Sequence, residues 1–254
     1  MDHWLITALL PAFVAVPAVP FRMGTPEGDL SALAKAYGGT RESYREESPQ
    51  HELTIVSYAI ATCPVSNALY AAFVSDTGAS APMYWHGPQP LESLQQHPVV
   101  DVSWEDAQAF CIWLCDQTGT GYRLPTEAEW EHAARGVDGR TFPWGNEWEP
   151  LLANTRDSGP GTTTAHKSYP QGISPYGCLD MAGNVWEWTA SLDALYPYNP
   201  RDGREDPTAS GRRILRGGCY ANPHGFSRCA CRFRLLPNVR NEFLGFRLAQ
   251  SLST

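Results

Sequence analysis

Gly121-Tyr122-Arg123-Leu124-Pro125-Thr126-Glu127-Ala128-Glu129-Trp130-Glu131 carries a helix start that can be read residue by residue. Thr126 and Glu129 make a Ser/Thr-x-x-Glu capping box, in which each side chain accepts a hydrogen bond from the other residue's backbone N–H. Gly136 closes the helix, so it is short. Upstream, Ser103 with Asp106 forms a variant of the same box, and Ala107, Phe110, Cys111, Leu114 and Cys115 lie along one face before Gly119. On that buried face Cys111 and Cys115 read as small core hydrophobes. Further back, Pro64-Val65-Ser66 introduces Ala68, Tyr70, Ala71, Ala72, Phe73 and Val74, which stop at Asp76-Thr77-Gly78. Downstream of Gly136 the pattern changes to Gly, Pro, Asn, Trp and Tyr among short apolar fragments, which predicts irregular loops and brief strands. Such a chain needs staples other than periodicity. Trp144, Trp148, Trp186 and Trp188 offer large buried areas, with indole N–H groups for loop carbonyls.

The 22 glycines and 21 prolines are spread along the 254 residues without a linker or a fixed repeat, so residues 1–254 read as one α+β domain. The formal charge of −8 argues against a nucleic-acid or anionic-membrane partner. It conceals an asymmetry: residues 211–254 hold eight arginines against the single acid Glu242, a local +7, which leaves −15 for the rest. That tail is expected to fold back onto the acidic body. Seven cysteines, odd in number and without paired C-x-x-C spacing, indicate neither a disulfide framework nor a zinc ribbon, and make a reduced, cytoplasmic protein the default. Trp4 to Phe21 is apolar enough to suggest an export signal. It lacks a basic residue before Arg22 and contains Pro11, Pro17 and Pro20, so no membrane span is expected, and an opening helix followed by a strand Phe13-Val14-Ala15-Val16 is the simpler reading.

Five motifs then occur in order: Pro20-Phe21-Arg22-Met23-Gly24-Thr25, the 121–131 stretch, Phe142-Pro143-Trp144-Gly145, Gly183-Asn184-Val185-Trp186-Glu187-Trp188, and Leu215-Arg216-Gly217-Gly218 closing on Gly245-Phe246-Arg247. Together they resemble the formylglycine-generating-enzyme domain family, also called the sulfatase-modifying-factor family. The match runs from about Val14 to Ala249. The resemblance implies an elaborated C-type-lectin-like α+β fold with little regular secondary structure, but the scaffold hosts several activities.

In the family's copper-dependent oxidases a cysteine pair follows the Gly-Gly-Ser-Tyr segment and binds Cu(I) through soft thiolates. The matching stretch here is Gly218-Cys219-Tyr220-Ala221-Asn222-Pro223-His224-Gly225-Phe226-Ser227-Arg228-Cys229-Ala230-Cys231-Arg232, with Asn222 where the first cysteine would stand. An enzyme of this type would need an atypical thiol pair such as Cys229 and Cys231. The seven histidines show no facial-triad grouping, which argues against the iron chemistry of the sulfoxide-synthase branch.

A third branch, the variable proteins of diversity-generating retroelements, displays a hypervariable C-terminal surface whose changes arise at template adenines. Residues 219–244 resemble such a region. Pro223, Arg228, Ala230, Arg232, Pro237 and Arg240 can be encoded without adenine, whereas the sites between them can arise from an AAC codon randomised at its adenines. Of the types that AAC cannot reach, only Glu242 appears. This reading makes the chain a non-catalytic binding protein whose ligand, a protein or a small molecule, meets Tyr220, Asn222, His224, Phe226, Cys231, Phe233, Arg234, Leu235, Leu236, Asn238, Val239, Asn241 and Phe243. Gly225 and Ser227 count among the variable sites, and Arg234 is expected to be the exposed arginine. The alternative is a stand-alone domain with ordinary family positions there. Arg216, Arg232 and Arg247 are expected to be internal clamps.

The resemblance also implies structural calcium. One site would use Asp180, the Gly183 and Val185 carbonyls and Glu187, and a further one Asn154, the Thr155 carbonyl and Asp157, which are the hard oxygen donors calcium prefers.

Overall fold

The capping signals read from the sequence are where three of the five helices among the described residues begin. A computed structural model describes residues 3–252, with side chains from Ile6 onward. The first part of the chain runs α1 (His3–Leu9), β1 (Phe13–Val16), β2 (Phe21–Met23), α2 (Leu30–Tyr37), β3 (His51–Leu53) and β4 (Tyr58–Ala61). Then come α3 (Asn67–Thr77), α4 (Trp104–Thr118), β5 (Tyr122–Arg123) and α5 (Glu127–Arg135). Among the described residues the remainder is largely irregular loop, with short 3-10 turns and the strands β6 (Trp186–Leu192), β7 (Arg213–Arg216), β8 (Phe233–Leu235), β9 (Leu244–Phe246) and β10 (Ala249–Ser251). Ser66, Ser103 and Thr126 cap α3, α4 and α5, both predicted boxes close reciprocally, and the helices end at Gly78, Gly119 and Gly136. The opening helix and the Phe13–Val16 strand also form as expected, whereas α2 was not anticipated.

Two four-stranded sheets organise these elements. In the order β1-β4-β10-β5 all pairings are antiparallel, so the two ends of the chain meet in one sheet. In the order β8-β7-β6-β9 the β6–β9 pair is parallel, and it brings Glu187 opposite Gly245. A small β2–β3 ribbon lies apart from both. The largest core cluster joins α3 and α4 to this second sheet through Tyr70, Phe73, Phe110, Trp113, Trp188 and Phe246. Cys111 is buried there, and Cys115, half-buried, exchanges hydrogen bonds with the Tyr122 backbone at 3.1 and 3.2 Å.

The tryptophan staples divide. Trp186 and Trp188 are buried, and the Trp188 indole donates to the Val102 carbonyl at 3.0 Å. Trp144 and Trp148 are only half-buried and stack near the surface with Phe142, so the expected burial fails at these two. Among the described residues, no helix is long and apolar enough to cross a membrane.

Candidate functional site

The C-terminal segment is held by a lattice of buried charges. Arg216 at the end of β7 is fully buried; its Nη2 donates to Glu131 at 2.8 Å, to Glu127 at 3.2 Å and to the Tyr196 hydroxyl at 2.8 Å. Its Nη1 donates to the Cys229 and Cys231 carbonyls, 3.1 Å each, and so fixes the path of the segment. Arg232 chelates Glu127 at 2.9 and 3.0 Å, and Arg228 chelates Glu47 at 2.7 Å through both terminal nitrogens. Burial alone would raise the Glu131 carboxyl, but Arg216 and Arg135 outweigh it and hold the group below the usual glutamate range. The expected clamps are therefore present, and the basic tail does fold onto acids of the body.

Glycine makes the entry to this segment possible. At Gly217, with φ +98°, a Cβ would meet the Trp130 ring at 3.2 Å; at Gly218, with φ +73°, it would meet the Phe226 carbonyl at 2.9 Å. Beyond them the Asn222 side-chain carbonyl accepts from the Trp186 indole at 2.8 Å and from the Cys219 thiol at 3.1 Å. Asn222 thus serves as a hydrogen-bond anchor between Trp186 and Cys219. His224 turns back to Asp157, whose Oδ2 accepts from its backbone N–H at 2.8 Å and meets its Nδ1 at 2.7 Å; the ring stacks on Trp148 at 4.7 Å. The backbone N–H of His224, more than any other group, keeps the Asp157 carboxyl below its ordinary range.

Exposure sorts the sequence-derived site residues. Phe226, Phe233 and Leu236 are 44%, 41% and 55% exposed, and Asn238 is exposed as well. Phe226 and Phe233 stand over buried Trp186, with ring centroids 6.5 and 5.4 Å from it. Asn222, His224, Leu235, Val239, Asn241 and Phe243 are half-buried. Tyr220 and Cys231 are buried and unavailable to a ligand, because Tyr220 packs against Phe243 and Cys231 joins the main core cluster. Arg234 is not the free surface arginine expected: it pairs with Glu46 and, at 3.1 Å, with Asp193. Gly225 cannot vary as supposed, since a Cβ there would lie 2.8 Å from Tyr37. Ser227 is also buried.

Residues that the sequence reading missed complete the surroundings. Tyr37, Tyr44 and Glu47 line a cavity of about 280 Å³ together with Gly225, Phe226 and Arg228. The amphipathic run Leu30-Ser31-Ala32-Leu33-Ala34-Lys35-Ala36-Tyr37 was the available signal for the helix that brings Tyr37 there.

Residue 222 is an amide bonded to the Trp186 indole and the Cys219 thiol, and it offers no thiol to a soft metal. Burial pushes the Cys229 and Cys231 thiols of the metal-free chain up to about 12 and Cys219 up to about 11. Nor does the first calcium set stand ready. Glu187 accepts from Arg247 at 2.5 and 2.6 Å and from the Trp130 indole at 2.7 Å, while Asp180 Oδ2 lies 3.7 Å from His166. In the second set Asp157 is taken by His224, although buried Asn154 Oδ1 has no hydrogen-bond partner among the described residues. Among the described residues, no three His, Cys, Asp or Glu side chains are grouped to hold a metal.

This combination of a loop-rich lectin-like scaffold and an arginine-clamped C-terminal segment defines a family. Residues 7–252 match the sulfatase-modifying factor enzyme 1-like domain, and the chain belongs to that family. It is 31% identical to the formylglycine-generating enzyme of Streptomyces coelicolor, over 96% of each chain. It also spans 36% of the length of a Chlamydia caviae protein named serine/threonine-protein kinase pkn1, at 33% identity over 84% of its own length. Among solved structures it superposes on PvdO from Pseudomonas aeruginosa with a TM-score of 0.77 and 29% identity, covering 95% of both chains. It superposes on Treponema denticola variable protein 1 with a TM-score of 0.72 and 25% identity, covering 94% of both.

Proposed function

We propose that this chain is a non-catalytic binding protein whose ligand, a protein or a small molecule, docks on the outward residues of 219–244, chiefly Phe226, Phe233, Leu236 and Asn238. The observation that carries this reading is the exposure of Phe226 and Phe233 beside Arg228 and Arg232, which are almost wholly buried in ion pairs. Rigid aromatic side chains presented from a clamped backbone give large contact area at low entropic cost, as paratopes do. The likeness to a variable protein favours a diversified segment, while the contact with Tyr37 at Gly225 and the burial of Ser227 narrow it to the outward sites. Buried, protonated thiols and the Asn222 anchor weigh against the copper oxidase.

The test is a peptide-display selection on the intact chain, counter-selected on a Phe226→Ser/Phe233→Ser variant. Selected peptides should lose at least tenfold in affinity on that variant, and peptides that bind both equally would overturn the reading. Stoichiometric anaerobic Cu(I) binding that disappears in Cys229→Ser or Cys231→Ser would favour the enzyme instead. A template repeat differing only at adenines, beside a reverse-transcriptase gene, would establish the origin of the segment.

A further inference from the structure

The second sheet ends in an open strand. In the order β8-β7-β6-β9, β8 pairs among the described residues with β7 alone, and none of its three residues is buried. Successive residues of a ladder turn their N–H and C=O to opposite sides, which settles the groups that β7 takes. The Trp186 N–H donates to the Phe243 carbonyl at 2.8 Å, so Trp186 faces β9 and Glu187 faces β7, where it meets Arg216. Along β7, therefore, Leu215 and Arg213 face β8, opposite Phe233 and Leu235, and Ile214 faces β6. The Ile214 carbonyl accordingly accepts from the Thr189 hydroxyl of β6 at 2.9 Å. Arg234, between Phe233 and Leu235, is left with its own N–H and C=O turned to the open side.

Neither of these main-chain groups has a hydrogen-bond partner among the described residues. Main-chain groups without a protein partner are rare in an interior, so this edge meets solvent. A free edge is a template for another strand, and native chains usually guard it with charge. Here the guard is withdrawn, because the Arg234 guanidinium is held by Glu46 and, at 3.1 Å, by Asp193. Phe233, on the opposite face of the strand, is 41% exposed with its ring centroid 5.4 Å from that of Trp186, and Leu236, 55% exposed, follows it. A free donor and acceptor beside an exposed ring is the combination that recognises an extended peptide, with main-chain bonds for affinity and side-chain contacts for selectivity. A second copy paired antiparallel about Arg234 would set two arginines opposite each other, and like charges so placed destabilise a ladder.

We infer that the edge of β8 takes an extended segment of a partner protein as an added strand, bonded to the Arg234 N–H and C=O, with an apolar side chain of that segment against Phe233. The inference rests on the reading of 219–244 as a docking surface and names its partner as a protein segment.

The probe is a linear peptide selected by display on the full chain, synthesised with one backbone N–H at a time N-methylated. Only alternate N–H groups of an added strand face β8, so methylation should cost at least tenfold in affinity at one position, or at positions two apart, and little at those between. On the protein, Arg234→Pro removes the outward N–H and spares the ladder to β7, as proline does on edge strands. Arg234→Ala loses the same ion pairs but keeps the N–H. The peptide should bind Arg234→Pro at least tenfold more weakly than Arg234→Ala, and if the proline variant does not fold, the methylation profile decides alone. A flat profile, or equal affinity for the two folded variants, overturns the edge proposal. If binding is still lost in Phe226→Ser/Phe233→Ser, the docking surface itself stands; peptides indifferent to that pair sink both. A selection that returns no linear binder also overturns the added strand, leaving the aromatic surface to a folded protein or a small molecule. A dimer of the parent chain that Arg234→Pro abolishes would make a second copy the occupant and overturn the proposal too.

Discussion

Residues 226–234 face two ways. Inward, Arg228 and Arg232 are 3% and 8% exposed and chelate Glu47 and Glu127; outward, Phe226 and Phe233 are 44% and 41% exposed. The usual assignment of charge to solvent and aromatic rings to core is inverted here. The inversion shows what fixes a loop without regular structure: directional charge pairs pin the backbone, and the apolar groups are released to the surface. Arg216→Ala leaves Glu127 with Arg232 and Glu131 with Arg135 but takes the buried donor from Glu131 Oε2 and from the Cys229 and Cys231 carbonyls, so it should cost about 3–5 kcal/mol. A fall in the urea midpoint is the readout. A variant as stable as the parent would show that the lattice does not hold the segment.

A neutral buried group offers a second contrast with this charged lattice. His132 on α5 is buried, stacks on Phe21 with ring centroids 4.3 Å apart and meets the Tyr176 hydroxyl at 3.0 Å. Burial lowers its pKa to about 4. The unfolded chain, with histidine near about 6.5, binds the proton first as pH falls. His132 therefore contributes stability that is whole above about pH 6.5 and is lost as pH falls toward about 4. Glu131, held low by its arginines, acts with the same sign at lower pH. Thermal midpoints between pH 7 and 4.5 should fall less steeply in His132→Phe than in the parent, and parallel profiles would discount the histidine.

On the outward face the effects should be small. Phe226→Ala and Phe233→Ala each remove a ring already open to solvent, so stability should change by about 0.5 kcal/mol or less. A loss of 2 kcal/mol in either would mean that the ring is part of the core and not of a display surface. The pair of results, large for Arg216 and small for the phenylalanines, is what the comparison requires.

What could be read beforehand divides along the same line. Ser66, Ser103, Thr126 and the glycines behind their helices were legible because capping is a local exchange within a few residues. The arginine clamps were legible as a type, since eight arginines in a tail beside an acidic body must find partners. Their partners were not: Arg228 reaches Glu47 across 181 residues, and no periodicity reports such a pairing. The burial of Tyr220 and Cys231 escaped for a related reason. Codon reachability describes what a site could encode, whereas exposure is set by Phe243, Trp186 and the core cluster that only the folded chain assembles.

The smallest effect concerns Glu187, where the charge lattice and the calcium expectation meet in one carboxylate. Calcium would need oxygens from Asp180, Gly183, Val185 and Glu187 together. The structure spends both Glu187 oxygens on Arg247 and one of them also on Trp130, and the guanidinium already matches the charge that calcium would have neutralised. Among the described residues Asp180 Oδ2 has no hydrogen-bond partner and lies beside His166, but a single carboxylate with main-chain carbonyls makes a weak shell. Millimolar calcium or a chelator should therefore move the thermal midpoint by less than about 1 °C, well below the roughly 2–4 °C that 1 kcal/mol gives in a domain of this size. A calcium-dependent rise of several degrees would mean that Arg247 yields Glu187 to the metal, and Arg247→Met should then keep or enlarge that rise. With no calcium effect in the parent, the same variant should lose stability, because it leaves Glu187 buried and unpaired.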